Sequence, residues 1–201
     1  LSELVRTWGR GLLGEAELVD GRFPLLVKFL DARENLSVQV HPKPGVGNPH
    51  DVKHEAWYIL HAEPGAKLYI GLQPGVGPND VARAANTPEI VKLLRPWEIQ
   101  TGQCYYLPSG TPHALGAGVV VAEVQTPSDV TYRLFDWGRV GLDGRPRELH
   151  IAESQANIRY DVTAAQVRPA ATPVVDECAQ RTRLVTCKRF TIEHVRALPV
   201  H

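Results

Sequence analysis

Apolar and polar residues alternate along several short stretches of this chain, and glycines and prolines separate the stretches. Such alternation predicts β-strands, because successive strand residues point to opposite faces of a sheet. The predicted strands cover residues 25–30, 36–41, 56–61, 67–72, 103–107, 119–126 and 130–136. Many short strands divided by turns favour a mainly β sandwich or closed barrel over a sheet with helical crossovers.

Short helices are expected to interrupt the strands. Residues 79–86 follow Pro78, and Thr87-Pro88-Glu89 supplies a cap, a first-turn proline and a first-turn acid for a helix through Leu94. A third helical pattern covers residues 151–158. These helices read as insertions into a β domain.

Composition divides the chain into three parts. Residues 1–160 are predicted to form the main domain, and residues 161–182, rich in Ala, Pro, Thr and Val, a connector. Residues 183–201 alternate like strands again. We expect this last part either to close the first barrel or to begin a second, truncated domain, since an isolated strand pair has no core of its own.

Length and charge limit the possible functions. The 201 residues (22.2 kDa) suffice for one domain with a real core. The 22 basic residues balance the 22 acidic ones, which gives no support for binding nucleic acid or an anionic membrane. No apolar run approaches the roughly 20 residues of a transmembrane helix. No methionine occurs, even at position 1, which indicates that the chain is not the whole translated product.

The three cysteines, at positions 104, 178 and 187, are widely spaced and form no Cys-x-x-Cys pair. They therefore predict neither a disulfide framework nor a thiolate metal site, and they fit a reducing cytoplasm.

A metal site is the strongest chemical prediction. Gln39 and His41 share one face of a predicted strand, and Lys53 and Glu55 share one face where the next strand begins. His113 ends the stretch Gly-x5-Pro-x-Gly-x2-His, whose proline and second glycine predict a sharp turn. Two imidazoles, one carboxylate and an amide oxygen form a four-ligand set suited to zinc, with room for water or a substrate oxygen. A lone strand histidine is usually a hydrogen-bonded core residue, but this combination favours the metal.

These motifs resemble a known family. The stretch from Gly102 to His113 resembles the second cupin motif, and Gln39-Val-His41 stands where the first motif usually has His-x-His. Together with LSVQVHP, KHEAWYIL and SDVTYRLFDWGR, this pattern resembles the type I phosphomannose isomerases, specifically the shorter bacterial form. The resemblance implies a cupin (jelly-roll) β-barrel and a cytoplasmic, zinc-dependent enzyme that interconverts mannose 6-phosphate and fructose 6-phosphate. It also implies that residues 183–201 resemble the opening strands of a second cupin-like domain.

The resemblance also implies roles for particular residues. It carries the metal ligands over to the four residues named above, namely Gln39, His41, Glu55 and His113. It places Lys53 and Arg133 on the phosphate and catalytic side, with the carboxylates Glu123 and Asp129 nearby. The chain departs from the family pattern at Lys43, where an acidic residue is usual, and lacks the family's additional N-terminal segment.

The reaction requires a proton to move between C2 and C1 of the sugar through an enediolate, with a metal polarising the carbonyl oxygen. Glu123, Asp129 and a hydroxide held by the metal all stay open as the base. A carboxylate in an apolar strand is costly unless it is paired, so Glu123 is either functional or part of a buried ion pair. Arg133 offers a two-pronged donor for phosphate, and Arg139 is either a second phosphate contact or a surface ion pair.

Two other functions stay open. His41, Glu55 and His113 alone would also suit a non-haem iron oxygenase. A non-catalytic cupin that binds a sugar phosphate is the third possibility. The oligomeric state is not predicted.

Overall fold

Two antiparallel sheets form the centre of the fold. In this computed structural model the described residues are 2–19, 21–141, 143–175 and 178–197. The strands of the two sheets are β1 (Leu26–Ala32), β2 (Val38–Val40), β3 (Glu55–Ala62), β4 (Lys67–Leu72), β5 (Leu94–Glu98), β6 (Cys104–Leu107), β7 (His113–Leu115), β8 (Val119–Gln125) and β9 (Tyr132–Phe135). One sheet has the strand order β1-β8-β3-β6, and the other has the order β5-β4-β7-β2-β9.

The main core lies between these sheets. Along β8, every second side chain from Val119 to Gln125 is buried, as a strand with one inward face requires. Ile59 and Val121 of the four-stranded sheet pack in one buried cluster with Leu68 and Ile70 of the five-stranded sheet. Burial of apolar area between two sheets is the main stabilising contribution to such a sandwich.

Helices cover the outer face of the five-stranded sheet. They are α3 (Pro78–Ala84), α4 (Glu89–Leu93) and α5 (Ile151–Asn157). Val81 and Ile90 of these helices, with Ile158 directly after α5, pack against Val40 and Leu134 of the sheet. The three predicted helical stretches are therefore present and lie where they bury an apolar face.

A third, smaller sheet lies at the carboxyl end of the chain. It contains β10 (Thr172–Val174), β11 (Ala179–Thr186) and β12 (Thr191–Ala197) in that order. Val185 and Phe190 of this part pack against Ala56 and Cys104 on the outer face of the four-stranded sheet. The proposed division of the chain at residues 160 and 182 stays a prediction.

The segment from 161 to 182, expected to be a connector, has more regular structure than its composition suggested. It contains α6 (Ala164–Val167), β10 and the start of β11. The Thr163 hydroxyl accepts a hydrogen bond from the Gln166 backbone N–H and so caps α6, and Val167 is buried in the main core. Tertiary packing thus orders a stretch without a clear periodicity.

Two other features were not predicted. One is the pair of helices α1 (Ser2–Trp8) and α2 (Arg10–Leu13) at the amino end. The other is strand β5, which has Pro96 in the middle of its sequence. A proline normally argues against a strand, but β5 is an edge strand, where one missing donor is tolerated. Among the described residues, no helix combines the length and the apolar composition needed to cross a bilayer.

Candidate metal centre

Three buried side chains from three parts of the sequence converge at one end of the sandwich. His41 directly follows β2, Glu55 is the first residue of β3, and His113 is the first residue of β7. None is more than 2% exposed. Their candidate ligand atoms all lie within 4.8 Å of one another. Oε2 of Glu55 is 3.1 Å from Nε2 of His41 and 3.5 Å from Nε2 of His113.

Backbone carbonyls determine which ring nitrogen each histidine offers. Nδ1 of His41 lies 2.9 Å from the carbonyl oxygen of Val130, and Nδ1 of His113 lies 2.8 Å from that of Thr111. A carbonyl oxygen can only accept, so each Nδ1 carries a proton and Nε2 is the ring nitrogen that faces the centre. This arrangement is typical of histidines that bind metals.

Unpartnered atoms at the centre fit a cation. Within the described part of the chain, Nε2 of His41 and Oε2 of Glu55 are buried and face each other at 3.1 Å, and with the proton of His41 on Nδ1 neither atom has a hydrogen to donate to the other. Buried polar atoms without partners are costly, and a divalent cation between two imidazoles and a carboxylate would satisfy them. The residues therefore fit a metal ion.

Protonation at this centre also favours a cation. Burial lowers the pKa of His113 to about 4, although the negative charge of Glu55 opposes this shift. Burial raises the pKa of Glu55. His41, Lys53 and His113 lower it by more than burial raises it, so that the pKa lies well below the ordinary value. At neutral pH the site therefore holds a carboxylate and a neutral His113.

Gln39 lies beside this group. It is directly opposite His113 in the pairing of β2 with β7. Its Nε2 is 3.2 Å from Nε2 of His113, and its Oε1 accepts a hydrogen bond from the Ser37 hydroxyl. To offer an oxygen to a metal, the amide must turn by half a rotation, which keeps the side chain in the same space. The structure thus brings Gln39 next to the three ligands, and its role as the fourth stays a prediction.

Lys53 is buried and points into the same centre. Its Nζ lies 2.8 Å from Oε1 of Glu55, and the side chain is only 6% exposed. The expected shared face of Lys53 and Glu55 is therefore present. A buried ammonium next to a carboxylate partly compensates the charge of Glu55 and supplies a donor to the site.

Glu123 lies on the inward face of β8, in register with Trp57 of β3 and Lys28 of β1. Its Oε1 is 2.8 Å from Nζ of Lys28, and its Oε2 accepts a 3.3 Å hydrogen bond from Nε1 of Trp57. Burial, and after it the charge of Glu55, raises the pKa of Glu123. Sequence reasoning did not single out Lys28; its signal was a single charge in the apolar run LLVKFL.

The remaining predicted residues lie in different surroundings. Arg133 pairs with Gln39 across β2 and β9, and within the described residues its buried Nε has no hydrogen-bond partner. Burial, followed by the charge of Arg147, lowers the pKa of Arg133. Asp129 is exposed, and Arg139 forms an ion pair with the buried Asp136. The structure thus places Arg133 across from Gln39 on the neighbouring strand, whereas Arg139 is held at an ion pair of its own.

Comparison with known proteins gives this centre a family context. The sequence profile of the phosphomannose isomerase type I catalytic domain matches residues 6–70. The mannose-6-phosphate isomerase ManA of Bacillus subtilis is 37% identical over 181 residues, which are 85% of this chain and 56% of ManA. The chain is a relative of the type I phosphomannose isomerases. The resemblance drawn from its motifs is therefore confirmed.

Solved structures agree with the predicted fold. The crystal structure of the mannose 6-phosphate isomerase from Bacillus subtilis superposes with a TM-score of 0.84 at 30% identity, and the match covers 97% of this chain and 62% of that one. A mannose 6-phosphate isomerase bound with zinc and yttrium matches at 18% identity with a TM-score of 0.65, over 96% of this chain and 68% of that one. The predicted mainly β cupin fold is confirmed.

The match to the phosphomannose isomerases is partial in length. The chain spans about half the length of the curated relatives that it matches, from 42% of a mannose-6-phosphate isomerase of Streptococcus mutans to 56% of ManA. The matched part contains all of the candidate ligands, because the match to ManA covers 85% of the chain and the solved structure covers nearly all of it.

Proposed function

We propose that this chain binds zinc and catalyses the interconversion of mannose 6-phosphate and fructose 6-phosphate. The observation that carries the proposal is the buried convergence of His41, Glu55 and His113 within 4.8 Å, in a chain 37% identical to a mannose-6-phosphate isomerase. Two imidazoles and a carboxylate with an open position are the ligand set of many catalytic zinc sites.

His41, Glu55 and His113 would hold the metal, with Gln39 as the fourth ligand. These nitrogen and oxygen ligands suit zinc, and zinc is the metal we propose because a related isomerase is described as bound with zinc. When bound, zinc would supply Lewis-acid polarisation of the sugar's carbonyl oxygen.

Lys53 and Arg133 would bind the anionic substrate. Arg133 has an unpartnered Nε within the described residues, and its planar guanidinium can donate two parallel hydrogen bonds to a phosphate or an enediolate. Lys53 is a compact charge next to Glu55, suited to contact a sugar oxygen at the centre. These two cations are the main argument for a sugar phosphate over a neutral sugar.

A proton must move between C2 and C1 of the sugar. Glu123 is the better candidate for this transfer, because it is buried in the sandwich and its raised pKa moves toward the working pH of a general base. Asp129 is exposed and would need the loop that carries it to move. Lys28 and Trp57 contact the two carboxylate oxygens of Glu123. These contacts would hold the carboxylate in the same orientation before and after each proton transfer.

We also propose a cytoplasmic location, since mannose and fructose phosphates are metabolites of that compartment and the cysteine pattern predicts no disulfide framework. Nothing in the charge balance of the chain supports a nucleic-acid partner.

A coupled assay for conversion of mannose 6-phosphate to fructose 6-phosphate tests the proposal. The assay is run before and after treatment with a chelator, with metal analysis of the same sample. We expect activity that is lost on chelation and restored by zinc. Bound zinc without activity would favour a sugar-phosphate-binding protein, and bound iron with oxygen uptake would favour an oxygenase, for which the same three ligands would also be suitable.

A further inference from the structure

The end of α5 touches both of the segments that carry the candidate histidine ligands. Asn157, the last residue of α5, is 3% exposed. Its Oδ1 accepts a 3.0 Å hydrogen bond from the backbone N–H of Lys43, two residues after His41. Its Nδ2 donates a 2.9 Å hydrogen bond to the carbonyl oxygen of Glu153. These two bonds fix the orientation of the amide, because the first needs an acceptor and the second needs a donor.

Lys43 makes a second bond to the same part of the chain. Its Nζ donates to the carbonyl oxygen of Ile158 at 3.1 Å. The backbone and the side chain of Lys43 are therefore both tied to the two residues at the end of α5.

The turn before His113 is held by the same segment. The N–H of Gly110 donates to the carbonyl oxygen of His41 at 3.1 Å, and the N–H of Arg159 donates to the carbonyl oxygen of Gly110 at 2.8 Å. Gly110 has a φ of 80°, and a Cβ at this position would lie 2.7 Å from the carbonyl oxygen of Asn157. Only glycine allows this close approach, so the end of α5 sits directly against the turn that presents His113.

From this geometry we propose that Asn157 and Lys43 are positioning residues for the metal centre. They tie the segment after His41 to the end of α5. The turn before His113 is bonded to that same segment through Gly110 and to Arg159 directly after the helix end, so the position of the helix end sets the distance between the two imidazoles. Metal ligands must be held within about 0.5 Å of their productive positions, and groups that orient ligands typically change metal affinity 10- to 100-fold when removed. The inference rests on the proposed metal site and adds Lys43, two residues after His41, and Asn157, which is distant from every candidate ligand in the sequence.

The test measures zinc affinity by competition with a chromogenic chelator, and the absorption spectrum of the Co²⁺-substituted protein. For Asn157→Ala we expect about 10- to 100-fold weaker zinc binding, with a changed Co²⁺ spectrum. For Lys43→Met, which keeps the apolar stem but loses the bond to Ile158, we expect about 2- to 10-fold weaker binding. Asn157→Asp keeps an acceptor for the Lys43 N–H but loses the donor to the Glu153 carbonyl, so it should restore only part of the affinity lost in Asn157→Ala.

Ser154→Ala is the matched control. Ser154 is fully buried, lies one turn earlier on the same helix, and among the described residues its Oγ has no hydrogen-bond partner. We expect the zinc affinity and the Co²⁺ spectrum of this variant to equal those of the wild type. An equal loss in Ser154→Ala would show a general effect of helix packing and would overturn the inference.

The outcomes separate this inference from the proposed function. Wild-type chain that binds neither zinc nor Co²⁺ would contradict the proposed metal site, and the inference with it. Wild-type chain that binds zinc, with unchanged affinity in Asn157→Ala and Lys43→Met, would contradict the positioning role alone. If Asn157→Ala does not fold, the Lys43→Met result decides, since that change removes one bond and leaves the buried amide in place.

Discussion

The inward faces of β3 and β8 differ sharply between their two ends. At one end these strands contribute Glu55, Glu123 and Gln125, all buried, and further along the same faces they contribute Ile59 and Val121. Along β8 the alternation of buried and partly exposed side chains is the same at both ends, so the strand geometry alone does not distinguish them. What differs is the chemistry that each end buries.

The two ends of the sandwich make opposite contributions to its stability. Burial of apolar side chains stabilises the fold, whereas burial of carboxylates and imidazoles costs free energy unless each group finds a partner. At the polar end the partners are Lys28, Lys53, Trp57 and backbone carbonyls, and two ligand atoms are left for a cation. The polar end therefore forms the candidate site, and burial of apolar side chains at the other end stabilises the fold that holds it.

The largest expected effect is at the polar end. His113→Ala removes one of two imidazoles from the centre, and we expect the purified variant to contain no stoichiometric zinc while it stays folded. Metal analysis and circular dichroism check this. His61→Ala, a change at an exposed histidine of β3, serves as the control and should leave the metal content unchanged. Stoichiometric zinc in His113→Ala would refute the ligand assignment.

Arg133→Lys separates charge from geometry at the same end. Lysine keeps the positive charge but cannot donate two parallel hydrogen bonds, so we expect kcat/KM for mannose 6-phosphate to fall about 100-fold with the zinc content unchanged. Steady-state kinetics measure the effect, and Arg83→Lys on the exposed surface of α3 is the control. Wild-type kinetics in Arg133→Lys would remove this residue from the site.

A matching change tests the apolar end. Ile59 is fully buried in the main core, and Ile59→Ala should lower the free energy of unfolding by about 2–5 kcal/mol through lost burial and a cavity. Zinc affinity should change little, because the cavity lies away from the ligands. Urea unfolding and chelator competition measure the two quantities. A large loss of zinc affinity with little loss of stability would show that the two ends are not separate.

The smallest expected effect is the pH dependence that His113 contributes at the polar end. The pKa of His113 is lowered to about 4 from an ordinary 6.5, so between these values the unfolded chain binds the proton and the folded chain does not. Stability of the chelated protein should therefore fall as the pH falls from 6.5 to 5, by up to roughly 1.4 kcal/mol per pH unit from this group. Glu55, whose pKa is lowered, adds a loss in the same direction only below about 4.5.

Urea unfolding of the chelated wild type and of His113→Gln at pH 6.5 and pH 5 measures this slope. Glutamine does not titrate, so the variant should show a shallower loss of stability than the wild type. Equal slopes in the two proteins would mean that His113 does not contribute, and that its pKa in the folded chain is close to the ordinary value.

Much of this architecture could be predicted from local patterns. Alternation predicted strands that overlap β1–β4, β6, β8 and β9, and the spacing of Gln39, His41, Glu55 and His113 indicated the metal centre. The patterns failed where packing decides. β5 has a proline that only an edge position tolerates, and α6 is short and ordered by its cap and by the burial of Val167.

The sequence by itself determined the types of residue that face inward and the set of ligands that a metal would need, because a strand's alternation and a turn's glycine act over only a few residues. Only the tertiary structure decided which distant groups complete the site. Val130 sets the ring of His41 from 89 positions away, Lys28 neutralises Glu123, and Asn157 reaches the segment after His41. Such contacts depend on how sheets and helices pack. A pattern of neighbouring residues cannot predict a contact between residues that are so far apart in the sequence.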